Sequence, residues 1–371
     1  MWGINMSNLT PSSAARRIAC PGSRLLEQQF PKRNQEISKH IEEGIKAHKI
    51  AMRVLTGAPI VESEYFLNTE MYDHALFFKK TVQEKINGSI NPDYIETTLD
   101  LSMIHQGMTG RPDYFHIDID NGTVYIFEYK YGFKNVETYE NWQLIEYAYG
   151  IFQHIEPPCF NVVFVVVQPR ISNSVKEWRI SLLELYTYFQ TMTQKEKQSL
   201  EPNAPCIPNP ECMYCSARFN CAALQAFSLP LIDYARSNIV NNLTPEALSN
   251  ELQFLREARD LLDARITGLE EEATYLIKSG KRVPSFILQE SRGSLNWSRS
   301  VEEIIALGEL LEIDLKKPQE VITPKQAIKA GLDDKLISLY AQYKPGNLKL
   351  VLQKDIARKV FNVIDETVNN K

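Results

Sequence analysis

The chain has 371 residues, a net charge of −5, 44% apolar residues and 23% charged ones; that is enough for one large domain or two to three modest ones of ordinary globular composition. No stretch approaches the ~18–20 apolar residues of a membrane span, and the N-terminus lacks the basic, apolar, small-residue order of a signal peptide, so a cytoplasmic protein is expected. The acidic balance does not advertise nucleic-acid binding, although a local basic surface would suffice.

Two basic stretches offer such a surface: Arg16, Arg17, Arg24, Lys32 and Arg33 near the front, and Lys316, Lys317, Lys325, Lys329 and Lys335 near the end. Each reads equally well as solvated surface charge. Between them the periodicity changes several times. Residues 34–55 carry Ile37, Ile41, Ile45, His48 and Met52 at three-to-four spacing and predict a helix. A second helix is expected from about Asn68 to Lys85. Residues 94–104, 111–119 and 123–129 alternate or run apolar, with Asp120-Asn121-Gly122 between the last two as a hairpin signal. Residues 138–154 return to helical spacing, and 160–168 (FNVVFVVVQ) form the most strand-like run. Helix, three strands, helix and strand in that order suit an α/β fold with a mixed central sheet flanked by helices.

After Pro202 the segment PNAPCIPNPEC breaks regular structure. Thr244-Pro245-Glu246 then opens a long helix running to about Gly280. Its Leu248, Leu255, Leu262, Leu269 and Leu276 recur every seven residues, with Leu252, Ile266 and Ala273 between them. That row suits a brace packed on the preceding domain better than a dimer seam. The remainder mixes a short strand with helices, one opened by Thr323-Pro324. The expected organisation is a core over 1–235, a long helix over 236–280 and a small α+β extension over 281–371.

Chemistry concentrates in GRPDYFHIDIDNGTVYIFEYKYG. Glu128 and Lys130 sit two apart on one strand and share a face. A hairpin at Asn121-Gly122 brings Asp113 beside Glu128. Two acids and a lysine so placed can hold a hard divalent cation and offset charge on a phosphate under attack. Taken alone, the same residues also describe an exposed hairpin with a cross-strand ion pair.

Four short motifs follow one another in order: Gly44-x-x-x-His48, Gly110-x-x-Asp113, Glu128-x-Lys130 and Gln143-x-x-x-Tyr147. Together they resemble the RecB-like branch of the PD-(D/E)XK nucleases, whose core is restriction-endonuclease-like; the resemblance covers roughly residues 8–225. It implies catalytic Asp113, Glu128 and Lys130. It implies Mg²⁺ or Mn²⁺ held by His48, Asp113, Glu128 and the Tyr129 backbone carbonyl. Gln143 and Tyr147 become residues that contact DNA or position the lysine, and Gly44 one that lets its helix pack closely.

Six cysteines occur, and Cys206, Cys212, Cys215 and Cys221 crowd into 16 residues, which in a reducing compartment points to a metal site. Those four suit a local structural Zn²⁺. CRISPR-adaptation nucleases and helicase–nuclease relatives instead join one cysteine before the core to three after it. By that resemblance Cys20, Cys212, Cys215 and Cys221 would hold a [4Fe–4S] cluster, leaving Cys206 spare and Cys159 a buried thiol. The opening LTPSSAARRIACPGS and the overall layout also resemble a phage-associated family of uncharacterised nuclease-like proteins. The implied function is a metal-dependent deoxyribonuclease acting at DNA ends as an exonuclease, in phage recombination, processing or repair. A host-cell cytoplasmic location follows. The alternative is a DNA-binding scaffold, or a recombination partner that recruits a single-strand annealing protein.

Overall fold

A buried run such as Asn161–Gln168, with five valines in eight residues, has one comfortable place: the middle of a sheet covered on both faces. In the computed structural model, which describes residues 9–31, 39–59, 68–171, 174–227 and 244–288, that is where it lies. The chain divides into two compact units, 1–286 with 358–371, and 287–357; the elements that follow belong to the first. They are α1 (Ala14–Ala19), α2 (Ser23–Gln29), α3 (Lys39–Leu55), α4 (Thr69–Ile86), β1 (Leu99–Asp100), β2 (Thr109–Gly110), β3 (Tyr114–Asp118), β4 (Thr123–Tyr129), α5 (Trp142–His154), β5 (Asn161–Gln168), β6 (Ser174–Ser181), α6 (Leu182–Gln198) and α7 (Pro245–Lys278).

The main sheet has the order β3-β4-β5-β6, with β4 and β5 parallel and the outer pairs antiparallel. The fold is thus α/β with a mixed sheet flanked by helices. Alternation along the strands divides the core in two. Phe115, Val124, Ile126, Val162, Phe164 and Val166 face α1, α5 and α6. Tyr114, Phe127, Tyr129, Val163, Val165 and Val167 face α3 and α4. Among the described residues no helix is long and apolar enough to cross a membrane.

Several expectations change. The apolar stripe of α3 is not Ile41 and Ile45, which are exposed, but Ala47, Ile50, Ala51, Val54 and Leu55. That set follows the i, i+3, i+4, i+7, i+8 rule, whereas the expected row meets the core only at its end, through buried Met52. A Cβ at Gly44 would meet nothing within 4 Å, so Gly44 is not a close-packing position. Of residues 94–104 only Leu99 and Asp100 are strand, paired with β2 in a separate small sheet. Strand β6 and helix α6 are additional to the expected order. The seven-residue leucine row of α7 is not its packed face: Leu248, Leu255 and Leu269 are exposed. Ala258, Leu261, Ala264 and Gly268 are buried instead. Among the described residues the front basic stretch forms no open surface, since Arg17 and Arg24 are buried and Arg16 pairs with Glu27 at 3.1 Å. Lys32, Arg33, Ile37, the C-terminal lysines, the helix opened by Thr323 and nearly all of the 281–371 extension lie outside the described residues.

Candidate active site

Strand β4 ends at Tyr129, and Glu128 there faces the α5 layer, as Val124 and Ile126 do. Asp113 lies one residue before β3. The antiparallel register, Tyr114 opposite Phe127, carries Asp113 alongside the Glu128–Tyr129 end of β4. The turn that fixes this register is four residues long, Ile119–Gly122, with Asp118 Oδ1 accepting from Asn121 N at 3.0 Å and Gly122 at φ +57°. Both acids are buried.

Asp113 is held at both oxygens. Its Oδ2 accepts from the Tyr129 amide at 2.6 Å, and its Oδ1 lies 2.6 Å from His48 Nε2. His48 comes from α3, 65 residues earlier. It lies one residue beyond Ala47, on the margin of the packed stripe, so its ring reaches round the edge of the sheet. The Asp113 hydrogen bond lifts the His48 pKa against the opposing effect of burial.

Glu128 is held at one oxygen only. Its Oε1 lies 2.6 Å from Lys130 Nζ and accepts from Gln143 Nε2 at 2.8 Å. Its Oε2 is buried with no hydrogen-bond partner among the described residues. Burial first, and the Asp113 charge second, push this carboxyl up to about 7 despite Lys130. Burial opposes the Lys130 ammonium, but Glu128 outweighs it and the lysine pKa rises.

Gln143 and Tyr147 stand one turn apart on α5 and face this cluster. Gln143 Oε1 accepts from Lys130 Nζ at 3.2 Å, and its Nε2 also reaches the Tyr147 hydroxyl at 3.0 Å. Asn141 makes this possible by capping α5, its side chain accepting from the Gln143 and Leu144 amides. Gln143 thus bonds the lysine directly, and Tyr147, 5% exposed, reaches it only through Gln143. Gly110 allows it to sit there, because a Cβ would come within 2.9 Å of Leu101, 3.1 Å of Pro11 and 3.2 Å of the Tyr147 ring. The Tyr129 side chain plays no part in the cluster and packs at 5.2 Å from Phe78.

One acid escaped the sequence reading. Glu96 holds φ at +46°, donates its amide to the Asp113 carbonyl at 3.2 Å, and places Oε1 4.0 Å from His48 Nδ1. A left-handed non-glycine residue is uncommon and clusters at functional positions; no sequence pattern marks it.

The cysteines form a second centre. Cys20, Cys206, Cys212, Cys215 and Cys221 line one small cavity with Leu26, Ile207, Pro208 and Leu224. Cys206, spare in the iron–sulfur reading and a ligand in the zinc one, is part of this wall. Cys159 stands apart, buried beside β5. Among the described residues no three His, Cys, Asp or Glu side chains are already spaced as a closed metal shell. The donor chemistry nonetheless suits a soft metal or cluster: five sulfurs in a largely apolar wall.

A family model described as "Protein of unknown function (DUF2800)" matches residues 7–355. That span takes in the hairpin carrying the two acids, the lysine-positioning helix and every cysteine, and the chain belongs to the DUF2800 family.

Proposed function

We propose that this protein is a metal-dependent deoxyribonuclease with a RecB-like, restriction-endonuclease-like core, acting at DNA ends as an exonuclease in phage recombination, processing or repair. The observation that carries the reading is His48. An imidazole 65 residues upstream has no local reason to touch Asp113, yet it does, beside the Glu128–Lys130–Gln143–Tyr147 chain of contacts.

The residues fit a hard divalent cation. Glu128 Oε2 is a buried carboxylate oxygen without a partner among the described residues, and its carboxyl is poised near neutrality. His48, Asp113, Glu128 and the Tyr129 carbonyl would hold Mg²⁺ or Mn²⁺. When bound, such an ion supplies Lewis acidity and an acidified water. His48 must be neutral to act as a ligand, so it gives up the proton that Asp113 favours. Lys130, fixed by Gln143, keeps its ammonium beside Glu128, where it offsets charge developing on the phosphate. Gln143 thereby spends its amide on orientation rather than on the reacting atoms. The cysteine cavity serves as a structural metal centre, a [4Fe–4S] cluster on Cys20, Cys212, Cys215 and Cys221, with thiolate-bound Zn²⁺ as the alternative.

End-labelled single- and double-stranded DNA incubated with Mg²⁺, Mn²⁺ or EDTA tests the reading. Cleavage should need the cation, and Lys130→Ala should lower it by about 10²–10³-fold, the scale of losing one transition-state donor. His48→Ala should be partly rescued by raised Mn²⁺. Near wild-type cleavage by Lys130→Ala overturns the assignment.

A further inference from the structure

Five thiols share a cavity of about 20 Å³, whereas a mononuclear or cubane centre takes four. The fifth is Cys206, and its surroundings hold it against Cys20 on both sides. Gly22 N donates to the Pro205 carbonyl at 2.9 Å, and Ile207 N donates to Cys20 Sγ at 3.2 Å. The residues flanking Cys206 are therefore each tied to the Cys20–Gly22 corner. Gly22 permits this approach: a Cβ there would stand 2.6 Å from the Ala204 carbonyl oxygen and 2.7 Å from Cys206 Sγ. Cys206 lines the cavity together with both Cys20 and Cys221. Cys221 has no comparable backbone clamp on the 205–207 segment among the described residues.

We propose that Cys206 is a disulfide-forming thiol. When the four-thiolate centre loses its metal, Cys206 pairs with Cys20 and replaces the metal link between the N-terminal segment and the cysteine loop by a covalent one. The oxidant is a peroxide. One thiolate attacks a peroxide oxygen and becomes a sulfenic acid, and the hydroxide released is protonated to water. The second thiol attacks the sulfenic sulfur, the S–S bond forms, and a second water leaves. Two thiols lose two electrons and one peroxide becomes two waters. A small dithiol such as dithiothreitol reverses the step. Without Cys206 a sulfenic acid on Cys20 would lack the thiol tied beside it, and further peroxide would carry it to the irreversible sulfinic acid. With it, the corner between residues 20–22 and 205–207 stays closed until metal returns. The inference is independent of nuclease activity and rests on the proposed Cys20, Cys212, Cys215 and Cys221 ligand set, whichever metal fills it; a zinc held by Cys206 itself would overturn it.

Peptide mapping of the full-length protein decides it. The protein is reduced, stripped with a chelator, exposed to one equivalent of hydrogen peroxide and alkylated. Cleavage after arginine and glutamate, at Arg17, Arg24, Glu201, Glu211 and Arg218, puts Cys20, Cys206, the Cys212–Cys215 pair and Cys221 on four separate peptides. The expected product is a Cys20–Cys206 cross-link that dithiothreitol removes and that is at least tenfold scarcer in metal-loaded protein. Cys206→Ser should lose the cross-link and keep its wild-type metal content by elemental analysis. A dominant Cys206–Cys221 or Cys212–Cys215 bond overturns the proposal. So does the absence of any cross-link, equal cross-linking in loaded protein, or loss of metal from Cys206→Ser, which would make Cys206 a ligand.

Discussion

Glu128 has one oxygen bonded twice and the other without a partner among the described residues, and this asymmetry has a measurable pH signature. In the fold its carboxyl titrates at about 7, against an ordinary 4.5, because burial and Asp113 disfavour the charge. A raised carboxyl pKa means the folded state holds the proton more tightly than the unfolded one. The contribution is therefore fully present below about pH 4.5 and disappears as pH rises through 7, on the order of 3 kcal/mol in all. Urea unfolding of metal-free protein at pH 5 and pH 8 should show this fall, and Glu128→Gln should flatten it. Added Mg²⁺ should raise stability at pH 8 far more than at pH 5, since cation and proton compete for one carboxylate. His48 moves the same way over a higher range: its raised pKa gives stability present below about 6.5 and lost above the folded value. Gln143 offers a cleaner separation of roles. Gln143→Ala should free Lys130 and lower kcat by roughly 10–100-fold with KM little changed, as loss of orientation does. A KM effect of that size would make Gln143 a substrate contact instead.

At the scale of elements, the site rests on a buried ionic network that joins the opening segment to two helices. Arg17 of α1, 1% exposed, reaches Glu146 of α5 at 2.7 Å and Glu196 of α6 at 2.9 Å, and it donates to the Thr10 carbonyl at 2.8 Å. His105 closes the network on Glu196 at 2.5 Å. Burial lifts the Glu146 pKa well above the carboxylate range, while His105 and Arg17 hold Glu196 below it. Glu146 precedes Tyr147, so the network sets α5 from behind while Gln143, bonded to Tyr147, meets the lysine in front. Arg17→Ala should cost about 3–5 kcal/mol, the scale of breaking a buried pair from one side; a thermal shift of under two degrees would deny the network that role. None of this was legible beforehand, because Arg17 in RRIACPGS looks like surface charge until α5 and α6 arrive. The hairpin, β5 and α5 were legible, since a turn dipeptide, a valine run and a helical period are local signals. Strand β6 was not: SVKEWRIS is an edge strand of mostly half-buried residues, with no apolar run to announce it. The α7 leucine row misled for a related reason, because the packed face uses Ala258, Ala264 and Gly268, small residues that leave little trace in a hydrophobic period.

Across the whole described structure, the distant segments meet at the cysteine centre. Helix α7 docks on it through Gly268, where a Cβ would lie 2.6 Å from Arg218 Cγ, and through a 2.6 Å Arg218–Glu271 ion pair. Arg265 also reaches the Arg218 carbonyl at 3.0 Å. Gly268→Leu should therefore lower bound metal as well as stability, read by elemental analysis and thermal melts on one preparation. Loss of stability with full metal content would show that the helix braces something else. The contact between the Cys20 corner and residues 205–207 spans 187 positions of chain, and this has a consequence for how the protein is made. At a synthesis rate of roughly 5–20 residues per second, the first helices wait about 10–40 s for the segment that completes them. For the first 129 positions of that interval Arg17 waits for Glu146, for 179 it waits for Glu196, and Cys20 waits longest for the cysteine loop. The front of the chain is then the last part of the core to become native, although it is the first to leave the ribosome.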